Sequence, residues 1–388
     1  MGLYQLPSRV PWSATTAARR NIVLAVLLLT LLGLTFSFFH HDEFTGKFPS
    51  LSGRPTFGVS GKKDSRSDIY NGTLGFQQVY MINQPGRSDR RDTMMIQAQL
   101  TQFSMEVVDG VAGWEVPAKV LPWTMKQDNT TIGAWRSHLN VMNRIIQDNV
   151  QTALVLEDDS DWDVALKAQL AELARGARWL LDNGNSKPVS PYGDGWDILW
   201  IGHCSSSPDD KDGRFWVIPH DPTVAPQGDS KGPDMTRWVN GGDADPTQPR
   251  VIFKQQQGRC TSGYAVTRRA AQRILWHSSL TPNNRAIDGG MSDLCRGREF
   301  GDFTCIAPFP QLMGKSKPAG SKGEGSPAES KNVMFSVLQN VGRILDGEST
   351  FKSCFPNPSG DLLTMEQITD FHGYPDDIKH DAQKTSHR

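Results

Sequence analysis

Thr152-Ala153-Leu154-Val155-Leu156 is an uncharged run that stops at three consecutive acids, Glu157-Asp158-Asp159, with Asp161 and Asp163 just beyond. A continuous apolar strand of this kind is buried on both faces, so the sheet that holds it needs helices on both sides. In open parallel sheets, ligands sit beyond the carboxyl ends of the strands. Three adjacent carboxylates in that position repel one another unless a cation compensates. Oxygen ligands suit Mg²⁺ or Mn²⁺ better than zinc. Residues two apart on an extended segment point the same way, which makes Glu157 and Asp159 the candidate metal ligands. The plainer alternative is a solvated acidic turn in which Asp163 caps a helix starting at Val164. The two roles can coexist.

The flanking sequence alternates between strand and helix patterns. Gln78 to Ile82 and Glu106 to Val108 read as strands, and Ser88 to about Gln102 as a helix between them. A helix from about Gly133 to Asp148 carries Leu139, Met142 and Ile146 on one face. Leu170, Leu173, Ala174, Ala177, Leu180 and Leu181 repeat at helical spacing, and Asp197 to Ile201 is another buried strand. This order predicts an α/β domain with a mostly parallel sheet flanked by helices. The second half is looser. Strands are expected at Phe215 to Ile218 and Gly263 to Val266, the latter feeding a helix with Ala270, Ala271, Ile274 and Leu275, and residues 314–331 read as a Gly/Ser/Lys/Pro loop.

The uncharged run Ile22 to Phe39 sets the organisation at the other end. At ~1.5 Å per residue it just reaches across a hydrocarbon core. Arg9, Arg19 and Arg20 precede it with no acid among the first twenty-one residues. The positive-inside rule then keeps the N-terminus cytoplasmic and sends the rest across the membrane. The run exceeds the usual signal-peptide core and no A-x-A site follows, so an uncleaved anchor is expected. The expected boundaries are a cytoplasmic tail 1–21, an anchor 22–39, a stem 40–74, a catalytic domain 75–373 and a polar tail 374–388. In this topology Asn71-Gly72-Thr73 and Asn129-Thr130-Thr131 are glycosylation sequons. Cys204, Cys260, Cys295, Cys305 and Cys354 are free to form disulfides in an oxidising compartment, with at least one left over.

Several functional classes drop out. Lys and Arg total 41 against 42 Asp and Glu, for a net charge of −1, unlike the basic face of a nucleic-acid binder. Asp159-x-Asp161-x-Asp163 starts like a calcium loop, but Val164 and Leu170 stand where Gly and Glu are required. Gly228-Asp229-Ser230-Lys231-Gly232 imitates a nucleophile elbow, yet Pro233 blocks the helix that should follow. Dinucleotide-binding, Walker and H-E-x-x-H patterns are absent.

Taken in order, Val79-Tyr80-Met81-Ile82-Asn83 with Arg87-Ser88-Asp89-Arg90-Arg91, Val108-Asp109-Gly110, Gly133-Ala134-Trp135-Arg136-Ser137-His138 and Ala153 to Asp159 resemble glycosyltransferase family 25. Trp196 to Gly202, Gly263 to Val266 and Ala286-Ile287-Asp288 continue the resemblance, which covers roughly residues 78–315 and is nearest to fungal members. It implies a GT-A-type nucleotide-diphospho-sugar transferase fold and an inverting, metal-dependent transfer. The implied donor is UDP-galactose, with a glycan or glycoprotein acceptor. Mn²⁺, or Mg²⁺, is implied at Glu157 and Asp159. Donor contacts are expected from Arg87, Ser88, Arg90, Asp109, Ser137, His138 and Asp158, and Asp288 is the expected acceptor base. The chain departs from the family at Ala134, where Cys is frequent, and after Gln311, where a Gly/Ser stretch replaces an acidic motif.

Together these readings predict a single-pass type II enzyme of the Golgi or ER membrane, with its catalytic part lumenal. Two other readings stay open at this level. One is a catalytically inactive lumenal sugar-binding or scaffold protein of the same fold. The other is a metal-dependent phosphoesterase, since acid-rich strand ends serve that chemistry too.

Overall fold

A computed structural model of the protein describes residues 65–183, 187–226, 231–239, 248–317, 329–357 and 360–378. Its strands are β1 (Gln78–Asn83), β2 (Glu106–Asp109), β3 (Thr152–Glu157), β4 (Ser160–Trp162), β5 (Ile198–Gly202), β6 (Ser205–Pro208), β7 (Arg214–Ile218) and β8 (Arg250–Arg259). They continue with β9 (Gly263–Thr267), β10 (Cys305–Phe309), β11 (Met313–Lys317), β12 (Glu329–Lys331), β13 (Thr350–Lys352), β14 (Leu362–Thr364) and β15 (Tyr374–Asp377). The helices are α1 (Ser88–Leu100), α2 (Asn129–Gln147), α3 (Leu166–Leu180), α4 (Arg268–Leu280), α5 (Ile287–Cys295), α6 (Val337–Leu345) and α7 (Met365–Thr369).

The large sheet runs in the order β15-β7-β8-β10-β5-β9-β3-β1-β2, with β6 beside β8. β2, β1 and β3 are mutually parallel, and β10 is parallel to β5. β9 is antiparallel to both β3 and β5, so β2, β1, β3, β5 and β10 all point one way with β9 reversed among them. Past β10 the pairing is antiparallel.

Alternation along the strands splits the core into two layers. Val79, Met81, Leu154, Leu156, Leu199 and Ile201 face one cluster with Met94 and Ala98 of α1 and the apolar face of α3. Tyr80, Ile82, Val155, Ile198 and Trp200 face the other, against α2, α4 and α5. That arrangement satisfies the demand made by the doubly buried β3. In α3, Leu166, Leu170, Leu173 and Leu180 are fully buried, each contributing about 2 kcal/mol by burial. α2 starts where Asp128 accepts a hydrogen bond from Thr131 N at 2.8 Å.

The structure corrects several expectations. The expected stem 40–74 overlaps the fold, because Ser65–Tyr70 is a 3₁₀ helix and Ile69 and Leu74 are buried in the core. The expected loop 314–331 is a strand pair at its ends: β11 pairs with β12 and with β4. The expected polar tail begins with β15, which pairs with β7. Asp163 does not sit directly before α3, which starts at Leu166. It instead accepts from Ala165 N and Phe335 N and ties that start to the β12–α6 connection.

Cys204 pairs with Cys260 and Cys295 with Cys305, leaving Cys354 unpaired. The run Ile22 to Phe39 lies outside the described residues, as do Gly228 to Ser230. Among the described residues, no helix is long and apolar enough to cross a membrane.

Candidate active site

The parallel registers Ile82↔Glu157 and Asn83↔Asp109 bring the carboxyl ends of β1, β2 and β3 level with one another. The chain leaves β1 into α1 and β2 into the turn 110–115, and α2 returns alongside. Between these segments lies a pocket of about 420 Å³ whose walls include Arg90, Trp114, Ser137, His138, Glu157 and Asp159.

Glycine makes the close approaches possible. A Cβ on Gly113 would lie 1.7 Å from Asn129 O, and one on Gly133 would lie 2.6 Å from Val111 O. Ser137 completes this wall by accepting from Val111 N at 2.8 Å and donating to Gly133 O at 2.7 Å.

Asp158 is buried and takes three donors: Arg90 Nη1 at 2.6 Å, Asn83 Nδ2 at 2.9 Å and Gln84 N at 3.3 Å. Glu157 Oε1 accepts from Thr261 Oγ1 at 2.6 Å and faces His138 Nε2 at 3.5 Å. His138 Nδ1 lies 2.9 Å from the Tyr264 hydroxyl. Tyr264 donating to Nδ1 leaves the Nε2 proton for Glu157. Burial works against the charged form of Glu157, but His138, Lys315 and Thr261 outweigh it and hold the carboxyl at about 2. Asp159 moves the other way: burial first, then repulsion from Glu157 and Asp158, raise it against the pull of Lys315 and Arg90.

Lys315 of β11 is the largest surprise here. Its Nζ is 3.2 Å from Glu157 Oε2 and 3.8 Å from Asp159 Oδ2. Arg90 Nη1 is 3.7 Å from the same Asp159 oxygen.

The expected site residues therefore divide. Arg90, Ser137, His138, Glu157, Asp158 and Asp159 line one pocket. Arg87 points instead at Asp89, with its Nη2 2.7 Å from the carboxylate. Ser88 and Asp109 are exposed and stand outside the pocket walls. Asp288, in the first turn of α5, accepts from Cys260 N at 3.0 Å and Gly289 N at 2.6 Å. One bond per oxygen leaves each a lone pair, and Thr261 links this stretch to Glu157. Trp200 and Tyr264 are fully buried core residues. Asn71 is exposed, whereas Asn129 is the first residue of α2 and lines the pocket rim.

Sequence reasoning missed Lys315, Asn83, Thr261 and Trp114. Trp114, 77% exposed at the pocket mouth, follows the Asp109-Gly110 strand end and was the findable one.

Among the described residues, no group of three or more His, Cys, Asp or Glu side chains stands ready for a metal ion. Glu157 and Asp159 do present two carboxylates, and the buried Asp159 Oδ1 has no hydrogen-bond partner. That donor set fits a hard divalent cation whose other ligands come from water or a bound diphosphate.

Residues 76–187 match the family model Glycosyltransferase family 25 (LPS biosynthesis protein). Procollagen galactosyltransferase 1 of Danio rerio is 27% identical over 143 residues, 33% of this chain and 22% of that protein. A Glycosyltransferase 25 family member of Anopheles gambiae is 22% identical over 233 residues, 55% of this chain and 31% of its own. Inactive glycosyltransferase 25 family member 3 of Homo sapiens is 21% identical over 150 residues, 35% of this chain and 23% of its own. The chain thus spans less than a third of the length of these relatives. Mannose-1-phosphate geranyltransferase from Thermus thermophilus aligns at 8% identity over 59% of this chain and 73% of its own, with a TM-score of 0.23, too low to carry an argument.

Proposed function

We propose, from the premise that residues 76–187 are a glycosyltransferase family 25 domain, that this chain is an inverting glycosyltransferase. The reading takes UDP-galactose as donor, a glycan or glycoprotein as acceptor, and a GT-A-type fold as scaffold. One observation carries it: Arg90, Glu157, Asp158 and Asp159 converge on a single pocket at the carboxyl ends of three parallel strands.

The roles follow from the contacts. Asp158 holds Arg90 at the pocket wall, where its guanidinium would be available to a leaving diphosphate. Ser137 fixes the turn beyond β2 that bounds the donor, and His138 with Tyr264 sets the orientation of Glu157. Glu157 and Asp159 would hold a divalent cation, which when bound would supply Lewis-acid stabilisation to a departing diphosphate. Inversion requires a base on the face of the sugar opposite the leaving group, and Asp288 is assigned that task.

The remaining assignments are part of the same proposal. Ile22 to Phe39 anchors the chain in the Golgi or ER membrane with the folded part lumenal, and Asn71 carries a glycan. A glycan on Asn129 would stand at the pocket entrance, so Asn129 is the weaker acceptor. Incubating the full chain with a panel of UDP-sugars, with and without Mn²⁺, and measuring released UDP tests the reading. The Lys315 bridge across Glu157 and Asp159 favours a second reading, a non-catalytic sugar-binding protein, which the same assay separates by finding donor binding without UDP release.

A further inference from the structure

Lys315 reaches the acids by strand pairing. β11 runs antiparallel to β4 with Lys315 opposite Ser160. Ser316 N donates to Asp159 O at 2.8 Å, which fixes the backbone that carries the lysine against the backbone that carries the acid. The ammonium then sits against Glu157 Oε2 and Asp159 Oδ2, the carboxylates assigned above to the cation. Glu157, Asp158 and Asp159 bring three negative charges, and Arg90 and Lys315 return two.

We propose that Lys315 is an exchangeable counterion at this site: its ammonium bridges Glu157 and Asp159 when the metal is absent and leaves when a divalent cation binds. The inference rests on the metal-assisted reading above. A small dication and an ammonium compete for the same two oxygens, because each repels the other at such distance and weakens its hold on the carboxylates. The dication wins the exchange, having twice the charge and access to Asp159 Oδ1, which is buried without a partner. The lysine can leave: its side chain is 46% exposed, and its four-carbon stem swings freely. The backbone pairing that presents it need not change. Lys315 thereby limits repulsion among the acids before loading and makes metal affinity weaker than the bare carboxylate pair would give.

Titrating the full chain with Mn²⁺ alone by calorimetry tests this. Lys315→Met is expected to bind Mn²⁺ at least tenfold more tightly than wild type, while its metal-free melting temperature falls. In wild type, amine-reactive labelling read by mass spectrometry should show Lys315 reacting faster once Mn²⁺ saturates the site. Unchanged or weaker Mn²⁺ binding by Lys315→Met, or labelling of Lys315 that stays level or drops on saturation, overturns the exchange. Absence of Mn²⁺ binding by both proteins also overturns it. UDP release in the presence of a chelator would then leave the glycosyltransferase reading standing without its metal.

Discussion

Arg90 Nη1 lies 2.6 Å from Asp158 Oδ1, which joins the first turn of α1 to the acid-rich end of β3. The pair gathers two more donors, Asn83 Nδ2 and Gln84 N, onto one buried carboxylate. Arg90→Met should therefore cost about 2 kcal/mol. That is below the ~3–5 kcal/mol expected on breaking a fully buried pair, because Arg90 is partly exposed. Urea denaturation checks the stability change, and UDP affinity should drop about tenfold in the same protein.

Gly113 has no room for a side chain, since a Cβ there would lie 1.7 Å from Asn129 O. Gly113→Ala must push the turn after β2 away from α2, at about 1–3 kcal/mol or more for overpacking. The pocket wall moves with it, so donor affinity should fall together with the melting temperature. Gly72→Ala, with nothing within 4 Å of its Cβ, is the control and should leave both near wild type.

His203 is buried, with its Nε2 2.7 Å from Pro308 O, and burial lowers its pKa from 6.5 to about 4. Its folded value lies below its unfolded one, so the stabilisation is complete above about pH 6.5 and is lost as pH falls through about 4. The loss amounts to at most about 3 kcal/mol. Glu157, held at about 2, adds a second loss below about pH 4.5. Asp163 acts in the opposite sense: burial raises it to about 7, so its contribution weakens as pH rises from about 4 to 7. Between about pH 4 and 6.5 the slopes from His203 and Asp163 oppose each other, so replacing His203 by Gln should unmask that of Asp163, and denaturation curves between pH 3 and 8 should show the variant gaining stability relative to wild type as pH falls through this window.

The two disulfides close loops of different length, with separations of 56 for Cys204–Cys260 and 10 for Cys295–Cys305. Loop-closure entropy assigns them about 4 and about 3 kcal/mol. The Cys204→Ser/Cys260→Ser double variant should lose more stability than Cys295→Ser/Cys305→Ser in guanidinium denaturation. It should also loosen Thr261, the neighbour of Cys260 that hydrogen-bonds Glu157.

The half of the molecule built around β1 and β3 was clearly legible in the sequence. β1, β3, α1 and α3 appear within about two residues of where periodicity put them, because each is a local pattern buried by its own face. Glu157, Asp158 and Asp159 were legible for the same reason: an apolar strand that ends in acids advertises its own end. What was not legible depends on distant pairing. β9 reverses inside otherwise co-directional strands, and nothing in Gly263-Tyr264-Ala265-Val266 states its direction. The strand β8 was passed over because its polar Lys254, Gln255, Gln256 and Gln257 break the apolar pattern. Lys315 lay in a segment read as loop, and only its pairing with β4 brings it to the acids. Arg87 shows a local partner that the pattern did not announce. An arginine at a helix start suggests a phosphate contact, but Asp89 two residues on takes the guanidinium.

The central claim is the transfer reaction, and UDP release by the full chain from UDP-galactose, with Asp159→Ala measured beside it, tests it most directly. The account predicts Mn²⁺-dependent release by wild type, and release reduced at least a hundredfold in Asp159→Ala. The variant's metal-free melting temperature should be unchanged or raised, since Asp159 is the carboxylate whose charge burial and its acidic neighbours oppose. No UDP release from any donor by a folded wild-type chain, or equal release by Asp159→Ala, would contradict it.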